Sequence, residues 1–408
     1  MSKLKYFFIS LFIFTGVLSG QHQNGRPGRP QFQDSNGFMF EVISLPSEKG
    51  FNCFLTFRVE YKKLVFVKTD NDFKAKFSLS IEATDSLTGR IFRESTDQEV
   101  VAPDYEMTNS PAEYAQGLIK LTLGKGKFSI LPSVHDLNTG IEHNFRRIEL
   151  DLMKPVKDII LDPVVATIKN DQMTLANFEG AIPFSRKSYD LIIPVSDTMQ
   201  NSLQVELFSE DSLVLKTDLK ESFISGLDFR MDNSSVTVVK ENNTIPTRNF
   251  IVRDVNKSLR EGGSRIKVSY GSKPEENRTF VKWVRWTGKP ISLMNAEFAV
   301  KMLKYIASEN DIDQIKNSSG SQLMPAIWKF WKKFDPTPET AFNELMEEYY
   351  QRVDYALNNF SIVAAHNGAE TDRGRIYIKY GKPLAVERSY NNTKEVVEVW
   401  NYSNPERK

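Results

Sequence analysis

The 408 residues include a single cysteine, Cys53. One thiol forms no intrachain disulfide, so stability has to come from apolar cores. Cys53 lies in Phe51-Asn52-Cys53-Phe54-Leu55-Thr56-Phe57, a strand-like run in which it reads as a small buried residue, not a nucleophile. Histidine is nearly as scarce. His22, His135, His143 and His366 are scattered, so a His-centred triad would have to recruit Cys53 or a serine that nothing singles out. Neither sign of charge is in excess: 53 basic and 52 acidic residues give +1, and loss of Lys3 and Lys5 with a leader reverses it to −1. A chain that neutral carries no electrostatic footprint for nucleic acid. No His-Glu-x-x-His, Gly-x-Ser-x-Gly or Gly-x-x-x-x-Gly-Lys occurs. No cofactor or metal is expected.

The N-terminus has the form of a secretory signal over 1–20. Lys3 and Lys5 precede the apolar run Tyr6 to Leu18, and Leu18-Ser19-Gly20 closes it. That run is shorter than the ~20 residues a membrane span needs. Gln21 stands where a lipoprotein would have Cys, so export without a lipid anchor is expected, to the periplasm or the cell exterior. Residues 21–36 are rich in Gln, Asn, Gly, Pro and Arg and read as a disordered leader.

From 37 to 154 the dominant period is two. Phe77, Leu79 and Ile81, then Phe128, Ile130 and Val134, then Ile148, Leu150 and Leu152, each put one face on a core and one in water. Asp85-Ser86-Leu87-Thr88-Gly89 and Asp136-Leu137-Asn138-Thr139-Gly140 read as hairpin turns, Asp bonding the backbone and Gly taking a positive φ. One carboxylate per turn is too few for calcium. Lys154-Pro155-Val156-Lys157-Asp158 marks a boundary, and strands recur over 155–288 at Leu191–Val195, Leu203–Leu207, Val236–Val239, Arg265–Tyr270 and Thr279–Trp286, with Gly262-Gly263 as a break. The spacing predicts two Ig-like antiparallel β-sandwich modules. Aromatics on both faces of Thr279–Trp286 predict cover on both sides.

Over 289–408 the period changes to 3.6. Phe298, Met302, Tyr305 and Ile306 share one face; Asn317 to Ser321 is a loop; Ile327, Trp328, Phe330, Trp331 and Phe334 crowd a short helix. A longer helix is expected to start at Thr337 as cap, with Pro338 and Glu339 in its first turn. Its stripe is Phe342, Leu345, Met346, Tyr349, Val353, Ala356, Leu357 and Phe360. Glu344, Glu347, Glu348, Arg352 and Asp354 lie off the stripe as a solvated face.

The segment that follows, with what leads into it, carries a family resemblance. Phe330-Trp331, Asp335, Pro336 and Thr340, Asn343-Glu344, and the run Tyr349 to Ala356 come first. Thr371-Asp372-Arg373-Gly374, Ile376-Tyr377-Ile378, Tyr380-Gly381-Lys382-Pro383 and Trp400-Asn401-Tyr402 follow in order. From about Trp328 to Tyr402 the sequence resembles the GWxTD-domain proteins, exported bacterial proteins of unknown function. The Trp of that name is Ala369 here. The family usually continues into another strand, so the terminal unit is expected to be truncated at Lys408 with an unpaired edge.

Read physically, Gly368 ends the helix approach and Thr371 or Asp372 bonds a local amide. Arg373 pairs with a helix acid, and Gly374 turns the chain into a strand Arg375 to Tyr380. After the turn at Gly381-Lys382-Pro383, Val396 to Trp400 returns as its partner. The motif and interaction residues are thus Gly368, Thr371, Asp372, Arg373, Gly374, Tyr380, Gly381, Pro383, Trp328, Trp331 and Trp400. The leading expectation is a non-enzymatic envelope or secreted protein with β-sandwich spacers and a C-terminal module that docks an envelope protein. The aromatic density around Trp283, Trp286, Trp328 and Trp331 suits an interface, or a core. The alternative is a hydrolase or binding protein for an envelope polymer or glycan, with Glu370 and Asp372 as paired carboxylates and a raised carboxyl pKa.

Overall fold

The computed structural model describes residues 37–110, 113–153, 160–242, 244–270, 273–361, 367–390 and 396–402. The signal and leader, the boundary at 154–158 and His366 fall outside these residues. The described chain is β-rich, with several sheets, and its helices of more than one turn all follow residue 295. Among the described residues no helix is long and apolar enough to cross a membrane.

Strands Phe38–Ser47, Gly50–Glu60 and Tyr114–Leu123 form an antiparallel sheet. A second sheet is built around Phe73–Asp85, paired with Ile91–Ala102 and with Lys127–Asp136. Phe51, Cys53, Leu55 and Phe57 of the first meet Phe77, Leu79, Ile81, Phe128 and Ile130 of the second in one core. The two Asp-to-Gly turns sit at opposite ends of the pair Phe73–Asp85 and Lys127–Asp136. Asp85 Oδ1 accepts from the Leu87 and Thr88 amides at 2.8 and 3.1 Å, and Asp136 Oδ1 from those of Asn138 and Thr139 at 2.9 and 2.8 Å. Gly89 and Gly140 have φ of +70° and +73°.

The first sheet departs from the one-face-in-water expectation. Every residue from Phe51 to Phe57 is buried. Ile43, Leu45 and Phe54, on its other face, share a core with Val164, Met173, Ile192, Phe229 and Val238. Those residues belong to a closed ring of six strands: Val164–Lys169, Gln172–Leu175, Ser235–Glu241, Ser222–Asp232, Thr247–Val252 and Asp190–Val195. Continuous apolar runs are what a strand covered on both faces requires. Polar contacts fasten the same junction. The Arg58 guanidinium lies between the rings of Tyr114 and Phe178, 3.7 and 3.9 Å from their centroids. Asn177 donates to the Phe57 carbonyl and the Gln116 side chain, both at 2.9 Å. Glu41 sits beside Lys282, and burial raises its carboxyl pKa against that lysine's attraction.

A five-stranded sheet runs in the order Ile182–Pro183, Lys273–Arg285, Gly262–Tyr270, Leu203–Ser209, Ser212–Leu219. Gly262 and Gly263 open one of its strands and do not interrupt the chain. Its core is continuous with that of the helices. Phe184, Trp286, Trp328 and Phe342 pack ring against ring with centroids 5.0 to 6.0 Å apart. The helical region therefore covers the Trp286 face of the Lys273–Arg285 strand, while Trp283 packs partly buried on the other.

Asn295 caps Ala296–Met302 and Ser308 caps Glu309–Lys316, and Leu323–Trp331 follows. The long helix is Glu344–Asn359, capped by Asn343, whose side chain accepts from the Met346 amide at 2.8 Å. Thr337 does not cap it: Thr337-Pro338-Glu339-Thr340 is a turn, and the Thr337 hydroxyl donates to Glu344 Oε2 at 2.7 Å. The first-turn signals at Pro338 and Glu339 lose to an asparagine side chain a few residues on. Tyr350 joins the buried stripe, and Leu345 is exposed.

Candidate functional site: the C-terminal corner

Asn367 opens a short 3-10 turn, Gly368–Glu370, and Thr371 caps the helix Asp372–Tyr380. The Thr371 hydroxyl accepts from the Gly374 amide at 3.0 Å and donates to the Gly368 carbonyl at 2.8 Å. The expected strand Arg375–Tyr380 is thus a helix. Ile376-Tyr377-Ile378 has strand-like composition, but the cap, the acid of the first turn and the i,i+4 burial of Gly374 and Ile378 decide for helix. The partner of Val396–Asn401 is instead Ala385–Tyr390, a two-stranded hairpin reached through Gly381-Lys382-Pro383.

The glycines are set by close approach. A Cβ on Gly368 would stand 2.2 Å from the Ala356 carbonyl oxygen, and one on Gly374 2.0 Å from the Gly368 carbonyl oxygen. Long helix, 3-10 turn and motif helix therefore stack backbone on backbone. Ala369 is fully buried, and the Tyr305 hydroxyl donates to its carbonyl at 2.8 Å.

The two candidate carboxylates have different partners. Glu370 is held by Lys301 at 2.8 Å and Lys304 at 3.0 Å, and these contacts, Lys301 foremost, keep its carboxyl below the usual range. Asp372 is exposed and pairs with Arg375, one turn on. Arg373 pairs not with a helix acid but with Glu398 of the hairpin, through two bonds of 2.8 and 2.7 Å. Arg388 reaches the same carboxylate at 2.7 Å, and Trp400 Nε1 lies 3.3 Å from it. Burial works against the charge of Glu398, yet the bonds from Arg373, Trp400 and Arg388 bring its pKa below the ordinary value.

The hairpin alternates cleanly. Val386, Arg388, Glu398 and Trp400 face Phe360 and Arg373 across a cavity of about 450 Å³. The Trp400 ring lies 5.7 Å from that of Phe360. Glu387, Ser389, Val397 and Val399 share the other face by register. Tyr390 is 77% and Val396 60% exposed at the tip.

Of the remaining predicted residues, Trp331 is buried in the core and Trp328 is partly buried in the aromatic cluster. Tyr380 is exposed, Gly381 takes φ +78°, and Pro383 leads into the hairpin. Cys53 is buried, and burial pushes its thiol up to about 11. Among the described residues no three His, Cys, Asp or Glu side chains gather where they could hold a metal ion.

A groove of about 440 Å³ lies between the long helix and the end of the motif helix. Glu348, Gln351, Arg352 and Tyr355 supply its helix side, and sequence reasoning singles out none of them as a site residue. Their spacing of three, four and seven marks one helical face, a signal legible in the sequence but indistinguishable there from plain solvated surface.

No curated protein matches the chain. Residues 285–408 match the family model of the GWxTD domain, beginning at Arg285, the last residue of its strand, and taking in every helix described above together with the hairpin.

Proposed function

We propose that the chain is a non-enzymatic exported protein of the envelope or cell exterior. In this reading the β-rich part, taken as Ig-like sandwich spacers, holds out a C-terminal module that docks a protein partner. One observation carries the proposal. The hairpin Ala385–Tyr390 and Val396–Asn401 pairs with no other described strand, and it leaves Val396, Val397, Val399 and Tyr390 in solvent. Exposed apolar side chains on a hairpin that no described strand extends favour strand addition or face docking. The hydrolase alternative draws no support from Glu370. Glu370 is neutralised by two lysines and titrates low, whereas a general acid at neutral pH needs a raised value.

A photo-crosslinking residue at position 397 in the full chain, irradiated in intact cells, tests the reading. A discrete adduct from position 397 and none from position 87, an exposed turn of the β-rich part, is the expected result. The absence of any adduct at 397 would overturn it.

A further inference from the structure

The groove between the long helix and Gly381 takes no part in the docking reading, and the way it is built points to a ligand. Its floor is rigid. Gly381 has φ +78°, and the space its Cβ would need is filled by the Arg352 guanidinium, 3.1 Å away. Arg352 donates to the Lys379 carbonyl at 3.3 Å and pairs with Glu348 one turn earlier. From the other side the Tyr402 hydroxyl donates to the Gly381 carbonyl at 3.1 Å. Rigid, partly desolvated polar groups cost little to order when a ligand arrives.

The walls are aromatic. Tyr355 and Tyr377 are stacked at 4.4 Å with their planes 16° apart. Tyr380 is 53% exposed and leans on Tyr402 at 5.8 Å. The charge balance discriminates among ligands. Arg352 is already matched by Glu348, and the motif helix ends here, so its C-terminal dipole repels anions. Lys382, at the rim, makes no ion pair among the described residues and is a single cation. One lysine against a helix C-terminus does not suit a phosphate-rich ligand. Planar amide, carboxylate and guanidinium groups beside flat apolar rings suit a molecule with hydroxyls at its edge and C–H groups on its face.

We propose that this groove binds a neutral saccharide. A pyranose ring lies against Tyr380, with its hydroxyls on Gln351, Glu348 and Arg352.

The test is calorimetric titration of the full chain with maltotetraose, cellotetraose and chitotetraose, with inorganic phosphate as the anion control. At least one of the three is expected to bind saturably. Tyr380→Ala and Gln351→Ala should each weaken that binding about tenfold, the size expected for one lost aromatic or hydrogen-bonding contact. Both side chains are on the surface, and circular dichroism checks that each variant is folded. Val399→Lys, on the hairpin, should leave saccharide binding unchanged, which separates this site from the docking surface. Three inert oligosaccharides at millimolar concentration, phosphate binding in their place, or affinity that survives both groove variants would each overturn the proposal.

Discussion

Two sheets of this molecule sit at opposite extremes. The three-stranded sheet Phe38–Ser47, Gly50–Glu60, Tyr114–Leu123 has both faces covered, one by the first core and one by the strand ring. The hairpin at the other end is covered on part of one face and open on the rest. Both are antiparallel and rich in apolar residues, so composition does not separate them. What differs is the residue type between the apolar ones. Asn52 and Thr56, small and polar, fit beneath the ring. The hairpin alternates with Glu387, Arg388 and Glu398, charges that oppose edge-to-edge pairing. The first pattern leaves the sheet no face in solvent, and the second leaves apolar side chains exposed between charged ones.

The comparison is broken most severely at Phe54, which is fully buried and packs on Phe229 at 4.8 Å between sheet and ring. Phe54→Ala should cost ~3–5 kcal/mol in urea unfolding. A loss under ~1 kcal/mol would show that the junction is not tightly packed. Gly374→Ala comes next. Alanine gains ~1 kcal/mol of helix propensity, but its Cβ meets a carbonyl oxygen 2.0 Å away, and overpacking of ~1–3 kcal/mol should outweigh that gain. Hydrogen exchange over 372–380 should accelerate, and an unchanged rate would refute the close stacking. Arg373→Ala removes the bidentate tether to Glu398 at a partly exposed site, so ~1 kcal/mol or less is expected. Exchange should rise in the hairpin alone, with the global midpoint unmoved.

The smallest effect is in pH, where the two ends should differ in sign. Burial raises the folded pKa of Glu41, so its contribution to stability is present at low pH and lost as pH rises through the folded value. Glu370 is lowered, so its contribution is present above the unfolded value and lost as pH falls through the folded one. Glu41→Gln should flatten the loss toward neutrality, and Glu370→Gln the loss in acid, in unfolding midpoints taken from pH 3 to 8. Equal slopes in the two variants would contradict the assignment.

Much of the β-rich part is legible in the sequence. The alternation of Phe77, Leu79 and Ile81 and the two Asp-to-Gly turns are local signals, and the structure follows them. The double cover of Phe51 to Phe57 is not, since alternation says which residues share a face and not what lies beyond it. The corner at Arg375 to Tyr380 defeats the sequence for the opposite reason. Its strand propensity rests on three residues, while the threonine cap just ahead of them is the stronger signal and wins. Arg373 announces one half of an ion pair, but the other half lies 25 residues away, on a strand whose position depends on that helix.

The sheet wedged between the first core and the strand ring has one more consequence. Neither neighbour has a complete hydrophobic lining without it, so heating should melt residues 38–136 and the ring together in a single calorimetric peak. A chain shortened to begin at Val164 would leave Phe229 and Val238 uncovered and precipitate. The two cores therefore share one wall, and a change that loosens the sheet is felt on both of its faces.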